Sequence, residues 1–274
     1  MPRRIAFINE KGGSAKTTLV ANLAAYLTLH RGRRVLALDM DPQGQLARAL
    51  GVELGAGGPS AVDLLLDEML DDALDRAAPA RGTLPRVPTR IRGLDLVGAN
   101  QALGLAGALE PAGDEATAKL ARALDSLFES EDYDFLLIDA PPSFGPLTLN
   151  VLRAAREVVI PVPLTWLGLD GCAALLRTIE TVRTRYGNPT LRITMVIPTF
   201  YRRTRMAHEL LDRLKARFPK ELAHTVLGYH VRIDEAQSRG QSIIEYAPND
   251  RGSKAFAALA EELELRAPDA GAAG

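Results

Sequence analysis

Along this chain, short unbroken apolar runs alternate with longer segments in which apolar residues return every three or four positions. The runs are Ile5–Ile8, Val35–Leu38, Leu94–Val97, Phe135–Ile138, Val158–Val162, Ile193–Ile197 and Thr225–Leu227. Strands that lack polar alternation need cover on both faces, and a parallel sheet obtains it from crossover helices. The periodic segments place such helices at roughly 17–31, 61–75, 115–130, 145–155, 169–186, 204–218 and 253–265. The expected fold is α/β: a doubly wound, mostly parallel sheet with helices on both faces.

The segment 61–75 sorts its faces clearly. Val62, Leu65, Leu66, Met69 and Ala73 share one stripe, while Asp63, Asp67, Asp71 and Asp75 recur every four residues, as a solvated face or a partner-docking one. Gly51 to Pro59 and Pro79 to Pro88, rich in Gly, Pro and Ala, read as rim loops rather than linkers. The 274 residues, 47% of them hydrophobic, suffice for one core, so a single domain is expected over 1–266. The tail 267–274 offers nothing to bury and is expected to be flexible.

Charge and composition narrow the field of partners. Lys plus Arg (33) nearly equals Asp plus Glu (34), so attraction to a polyanion must come from a local patch. The first residues pass straight into a glycine loop, and there is neither a signal-peptide pattern nor a membrane-length apolar stretch, so a cytoplasmic protein is expected. Cys172 stands alone, and His30, His208, His224 and His230 show no metal-ligand spacing.

The chemistry concentrates behind the first strand, in Lys11-Gly12-Gly13-Ser14-Ala15-Lys16-Thr17-Thr18. Strand, glycine turn and helix start form an anion cradle, because consecutive backbone N–H groups and the helix dipole converge on one point. That pattern points to ATP, with Lys16 on the β- and γ-phosphates and the Thr17 hydroxyl on Mg²⁺. Ala15 stands where this motif usually has glycine, at a cost on the order of 1 kcal/mol if the backbone there has positive φ. Asp39 and Asp41, in Asp39-Met-Asp41-Pro-Gln-Gly44, follow the second strand, and Asp139 ends the run Phe135–Ile138 before Ala-Pro-Pro-Ser143. Each could be a turn or capping residue by itself. Together, at strand ends of one sheet, they fit carboxylates acting on Mg²⁺ or on a water.

These motifs, with the later Val231-Arg232-x-x-Glu235-Ala236, resemble the ParA/Soj-type partition ATPases of the ParA/MinD superfamily over nearly the whole chain. The resemblance implies a slow ATPase working as a nucleotide-sandwich homodimer. In it, Lys11 reaches the partner's phosphates, Asp41 orients the attacking water, and Asp139 holds Mg²⁺ through water. The adenine would lie near Pro198-Thr199-Phe200 and Gly228-Tyr229-His230, where Gly228 replaces a common proline. A ParB-like or other activating adaptor is implied as a partner.

The stretch Arg202 to Lys220 holds seven basic residues against two acidic ones, a density suited to phosphate contact or to a solvated face. It resembles the family's non-specific DNA-binding region, with Arg203 and Arg232 on the positions of its DNA-contacting arginines and Arg205 close by. A nucleoid-associated location follows from that resemblance. The last helix is acidic on its polar side, so membrane binding of the MinD kind is not expected. Two readings stay open: an ATP-driven switch that binds DNA and positions a chromosome, plasmid or other cargo, and a nucleotide-dependent scaffold or MinD-like positioning protein with weak hydrolysis and no DNA binding.

Overall fold

The computed structural model of the chain describes residues 1–55, 58, 60–65, 83–109 and 114–266. Seven strands, β1 (Arg3–Phe7), β2 (Val35–Asp39), β3 (Val87–Pro88), β4 (Leu94–Val97), β5 (Phe135–Asp139), β6 (Glu157–Pro163) and β7 (Arg192–Thr199), form one sheet. Their order is β3-β4-β2-β5-β1-β6-β7, parallel throughout except for β3 against β4. Around it lie α1 (Lys16–Arg31), α2 (Gln45–Ala49), α3 (Gln101–Leu109), α4 (Lys119–Leu127), α5 (Pro146–Ala154), α6 (Trp166–Arg185), α7 (Arg205–Arg217), α8 (Val231–Ser238), α9 (Ile243–Tyr246) and α10 (Arg251–Leu265).

Strand alternation divides the interior into two cores. Ile5 and Phe7 of β1 pack with Leu19 and Leu23 of α1 and Phe256 of α10; Ala6 and Ile8 pack with Leu124 of α4, Val151 of α5, Leu175 of α6 and Leu210 of α7. Both faces are covered, which is why β2 and β5 carry no polar residue before their last positions, the buried Asp39 and Asp139; β1 opens on Arg3 and Arg4, whose charges pair with Glu157 and Asp125. In register, Phe7 and Asp39 both lie beside Asp139, so the ends of β1, β2 and β5 meet at one edge.

Some expectations change. Thr225–Leu227 is not a strand: Ala223 donates to Val196 of β7, but the next donation, to Pro198, comes from Leu227 rather than from Thr225, and Pro198 has no N–H to return, so the ladder is interrupted. The helix expected at 61–75 begins as a 3₁₀ turn, Ala61–Leu64, with Ser60 and Asp63 forming a capping box. The rest of that segment, including Asp67, Asp71 and Asp75, lies outside the described residues, as does the tail 267–274. Within the expected rim loop, Val87 and Pro88 pair antiparallel with β4 at the sheet edge, a place where proline is tolerated.

Candidate functional site

The site is built on the end of β1. Asn9 is buried; its side-chain amide donates to the Pro161 carbonyl at 2.7 Å, and its Oδ1 accepts the Lys11 N–H at 2.9 Å. One residue thus ties β1 to β6 and turns the chain into the loop. Gly13 has φ 69° and Ala15 φ 76°, so the left-handed backbone expected at Ala15 is present and carries a Cβ. Gly12 has an ordinary backbone, and a Cβ there would meet no protein atom within 4 Å. Neither strain nor packing requires glycine at that position; what a side chain would fill is the open space above the loop, where a ligand must approach the backbone closely.

The charged groups beneath that space are buried. Lys16 is 6% exposed and its ammonium donates to the Asn9 carbonyl at 3.2 Å. Burial lowers its pKa, while Asp139 and Asp41 pull it back up. Thr17 Oγ1 donates to Asp139 Oδ2 at 2.6 Å. The other carboxylate oxygen, Asp139 Oδ1, is buried with no hydrogen-bond partner, and so is Ser14 Oγ in the loop itself. Burial pushes the Asp139 carboxyl up to about 7, against the Thr17 hydrogen bond and the Lys16 charge. An orphaned carboxylate oxygen beside a threonine hydroxyl, below an open glycine cradle, is a donor set that fits hydrated Mg²⁺ bound to a phosphate.

Asp39, expected near the metal, is held by the backbone of the turn that follows it. It is fully buried, and each of its oxygens already accepts a backbone N–H, Asp41 at 2.9 Å and Leu46 at 3.0 Å. Its carboxylate therefore fastens the turn that carries Asp41. Burial and the neighbouring Asp139 hold its pKa well above the usual carboxylate range. Asp41 is half-buried and accepts from the Gln43 N–H at 3.0 Å. The turn closes on Gly44, which has φ 61° and whose missing Cβ would lie 2.7 Å from the Ala99 carbonyl. Lys11 is half-exposed and has no ion-pair partner among the described residues.

β7 reaches the loop as well: Thr199 Oγ1 donates to the Ser14 carbonyl at 3.4 Å, and Phe200 follows with φ 55°. The Pro198 carbonyl is occupied by the Leu227 N–H at 2.9 Å. Sequence reasoning missed two polar ties on α1. Gln237 of α8 donates to Thr18 Oγ1 at 3.0 Å, and Asn22 Oδ1 accepts the first N–H of α9, from Ile243, at 2.7 Å. The available signal was Asn22, a polar residue inside an apolar helical stripe.

The basic residues lie along a neighbouring stretch of surface. Tyr201 bridges to Gly228, and the Arg202 guanidinium lies 5.6 Å from the Tyr229 ring centre, so the segments bearing Arg203 and Arg232 adjoin. Arg203 is exposed. Arg205 pairs with Glu209 at 3.0 Å and Arg232 with Glu235 at 3.9 Å, both as exposed pairs that hold their arginines weakly. Among the described residues, no helix is long and apolar enough to cross a membrane.

An AAA-domain family model matches residues 2–193. The chromosome-partitioning ATPase Soj of Thermus thermophilus is 41% identical over 98% of this chain and 98% of its own. The sporulation initiation inhibitor protein Soj of Bacillus subtilis is 36% identical over 96% of this chain and 98% of its own. Among solved structures, a cobyrinic acid a,c-diamide synthase from Mycobacterium smegmatis with bound ATP analog and magnesium is 34% identical, covers 95% of this chain and 93% of its own, and superposes with a TM-score of 0.69. With an AAA-domain match over most of its length and Soj relatives over nearly all of it, the chain belongs to the Soj/ParA family of chromosome-partitioning ATPases.

Proposed function

We propose that this protein is an ATP-dependent dimerising switch that binds duplex DNA without sequence preference and hydrolyses ATP slowly to position a chromosome, plasmid or other cargo. The observation that carries the nucleotide part is the pairing of Thr17 with Asp139, whose second oxygen is buried and unpartnered beneath the open space over Gly12 and Gly13. Loop N–H groups of residues 12–18 and the Lys16 ammonium bind the phosphates. Thr17 and Asp139 would hold Mg²⁺, which would supply neutralisation of the phosphate charge. Asp41 orients the attacking water, and Asp39 holds the turn on which Asp41 sits. The Lys11 side chain, with no ion-pair partner among the described residues, extends to the phosphates of a second copy and stabilises the developing charge there, so turnover depends on dimerisation. Pro198 and Thr199, at the end of β7 against the loop, border the nucleoside.

The relatives support the rest: two are named Soj, one of them a chromosome-partitioning ATPase. Exposed Arg203, Arg205 and Arg232 supply phosphate contacts that become useful when a dimer doubles them. An adaptor of the ParB kind stimulates the ATPase, and the protein resides on the nucleoid. Calorimetry with a non-hydrolysable ATP analogue and Mg²⁺, followed by turnover with and without duplex DNA, tests this. Binding below millimolar nucleotide and stimulation by DNA are expected; no binding at millimolar nucleotide overturns the reading.

A further inference from the structure

A cleft opens at the end of the sheet opposite the phosphate loop, where α1 ends and β2 and β4 begin. Its cavity of about 700 Å³ is lined by Thr28, Arg33, Arg34, Arg86, Arg92 and Asp95, among others. That size falls within the range of small-molecule sites. Four of the lining residues are arginines and one is an acid, and the acid is engaged: Asp95 accepts from Tyr133 Oη at 2.6 Å and from Arg86 at 3.3 Å.

The arginines are arranged rather than splayed. The guanidinium groups of Arg34 and Arg86 lie 5.3 and 5.8 Å from the centre of the same Tyr133 ring, and Arg86 also donates to Tyr133 Oη. Arg33 pairs with Glu264 at 2.9 Å, Arg34 with Asp132 at 3.1 Å and Arg86 with Glu131 at 3.2 Å, carboxylates that lie outside the cleft lining. Arg92 is exposed and has no partner among the described residues.

A second observation points to a ligand. Thr28 is 8% exposed, yet its Oγ1 is buried with no hydrogen-bond partner. A helical threonine normally satisfies this hydroxyl on a carbonyl one turn back. Gly93, with φ 95°, brings the strand entry so close that a Cβ there would lie 3.3 Å from Thr28 Cγ2. The orphaned hydroxyl and the free Arg92 thus border one cavity.

We propose that this cleft binds a small phosphorylated anion, with Arg92 as its free clamp, Arg34 and Arg86 as donors braced on Tyr133, and the Thr28 hydroxyl as an additional donor. Planar guanidinium forks match phosphate oxygens in pairs, whereas a lone carboxylate would use only one of them. Because α1 and β2 have their other ends at the nucleotide site, the two ligands occupy opposite edges of the sheet and do not compete for space.

Inorganic pyrophosphate is the probe, measured by calorimetry at low salt on the full chain. It also fits the phosphate loop, so Lys16→Ala is used to weaken that site. In the Lys16→Ala protein one pyrophosphate remains bound, and adding Arg92→Glu weakens it about tenfold or more, the scale of one charge-assisted contact. Thr28→Val, which keeps shape and removes the hydroxyl, weakens it severalfold without lowering Tm. Complete loss of binding on Lys16→Ala alone, or an isotherm unmoved by Arg92→Glu, overturns the proposal. So does a short DNA duplex that displaces pyrophosphate from the Lys16→Ala protein in an Arg92-dependent way, since the cleft would then be a nucleic-acid contact.

Discussion

Replacing Ala15 by glycine isolates the strain in the phosphate loop. At φ 76° and ψ 21° Ala15 sits in the left-handed region, which costs an L-residue about 1–2 kcal/mol. Glycine removes that cost but loses more freedom on folding, roughly 0.5–1 kcal/mol. The difference favours Ala15→Gly by about 0.5–1 kcal/mol, which in a chain of this size raises Tm by about 2 °C. Differential scanning calorimetry of nucleotide-free protein measures it. The strained geometry is already present without ligand, so the gain belongs to the fold and not to the complex. Affinity for a non-hydrolysable ATP analogue therefore stays within about twofold of the parent, because a substitution that stabilises both states equally shifts nothing. A lower Tm would refute the strain argument. An unchanged Tm with tighter nucleotide binding would show that the free loop relaxes and adopts φ > 0 only around phosphate.

Three further outcomes are expected. Asp41→Ala keeps the cradle and removes the carboxylate that orients water, so light scattering in ATP should show a persistent dimer, whereas Lys11→Ala should stay monomeric; two variants that dimerise alike would remove the trans role of Lys11. Arg203→Glu or Arg232→Glu should weaken electrophoretic shifts of two unrelated duplexes equally and flatten the salt slope by about 0.9 per lost phosphate contact, with nucleotide affinity unchanged. Glu157, 2% exposed, is raised by burial but held below the usual carboxylate range by Arg3 at 2.8 and 2.9 Å, with Thr194 and Arg192 contributing. Its stabilisation is present above the unfolded value of 4.5 and is lost as pH falls through the lower folded one. Glu157→Gln should cost about 3 kcal/mol at pH 7 and leave a shallower acid limb in urea titrations; an unchanged midpoint would contradict the burial argument.

The sheet and the cradle were legible because their signals are local. Five buried residues in a row at Val35–Asp39, or glycines directly between an apolar run and a helix, state their environment within a few positions. Helix α8 escaped because only Ile233 and Ala236 of its residues are buried, too few to draw a stripe among Arg, Asp, Glu and Gln. Helices α2 and α9, with five and four residues, are shorter than the period that would reveal them. Thr225–Leu227 read as a strand on composition, and what broke its ladder is a shift of pairing opposite Pro198, where Leu227 donates in place of Thr225 and proline has no N–H to return. The tie of Asp39 to the turn that carries Asp41 depends on N–H directions that sequence does not encode.

The hydrogen bond from Gln237 to Thr18 spans 219 residues of chain and joins the first turn of the phosphate-loop helix to the helix that begins with Val231 and Arg232. With Asn22 gripping Ile243 one turn further along, α1 holds the entire 231–246 segment at two points, as an axle holds a crank. A rotation of α1 by a few degrees, started at its phosphate end, would reappear as a displacement of Arg232 on the outer surface, with no intervening loop to absorb it.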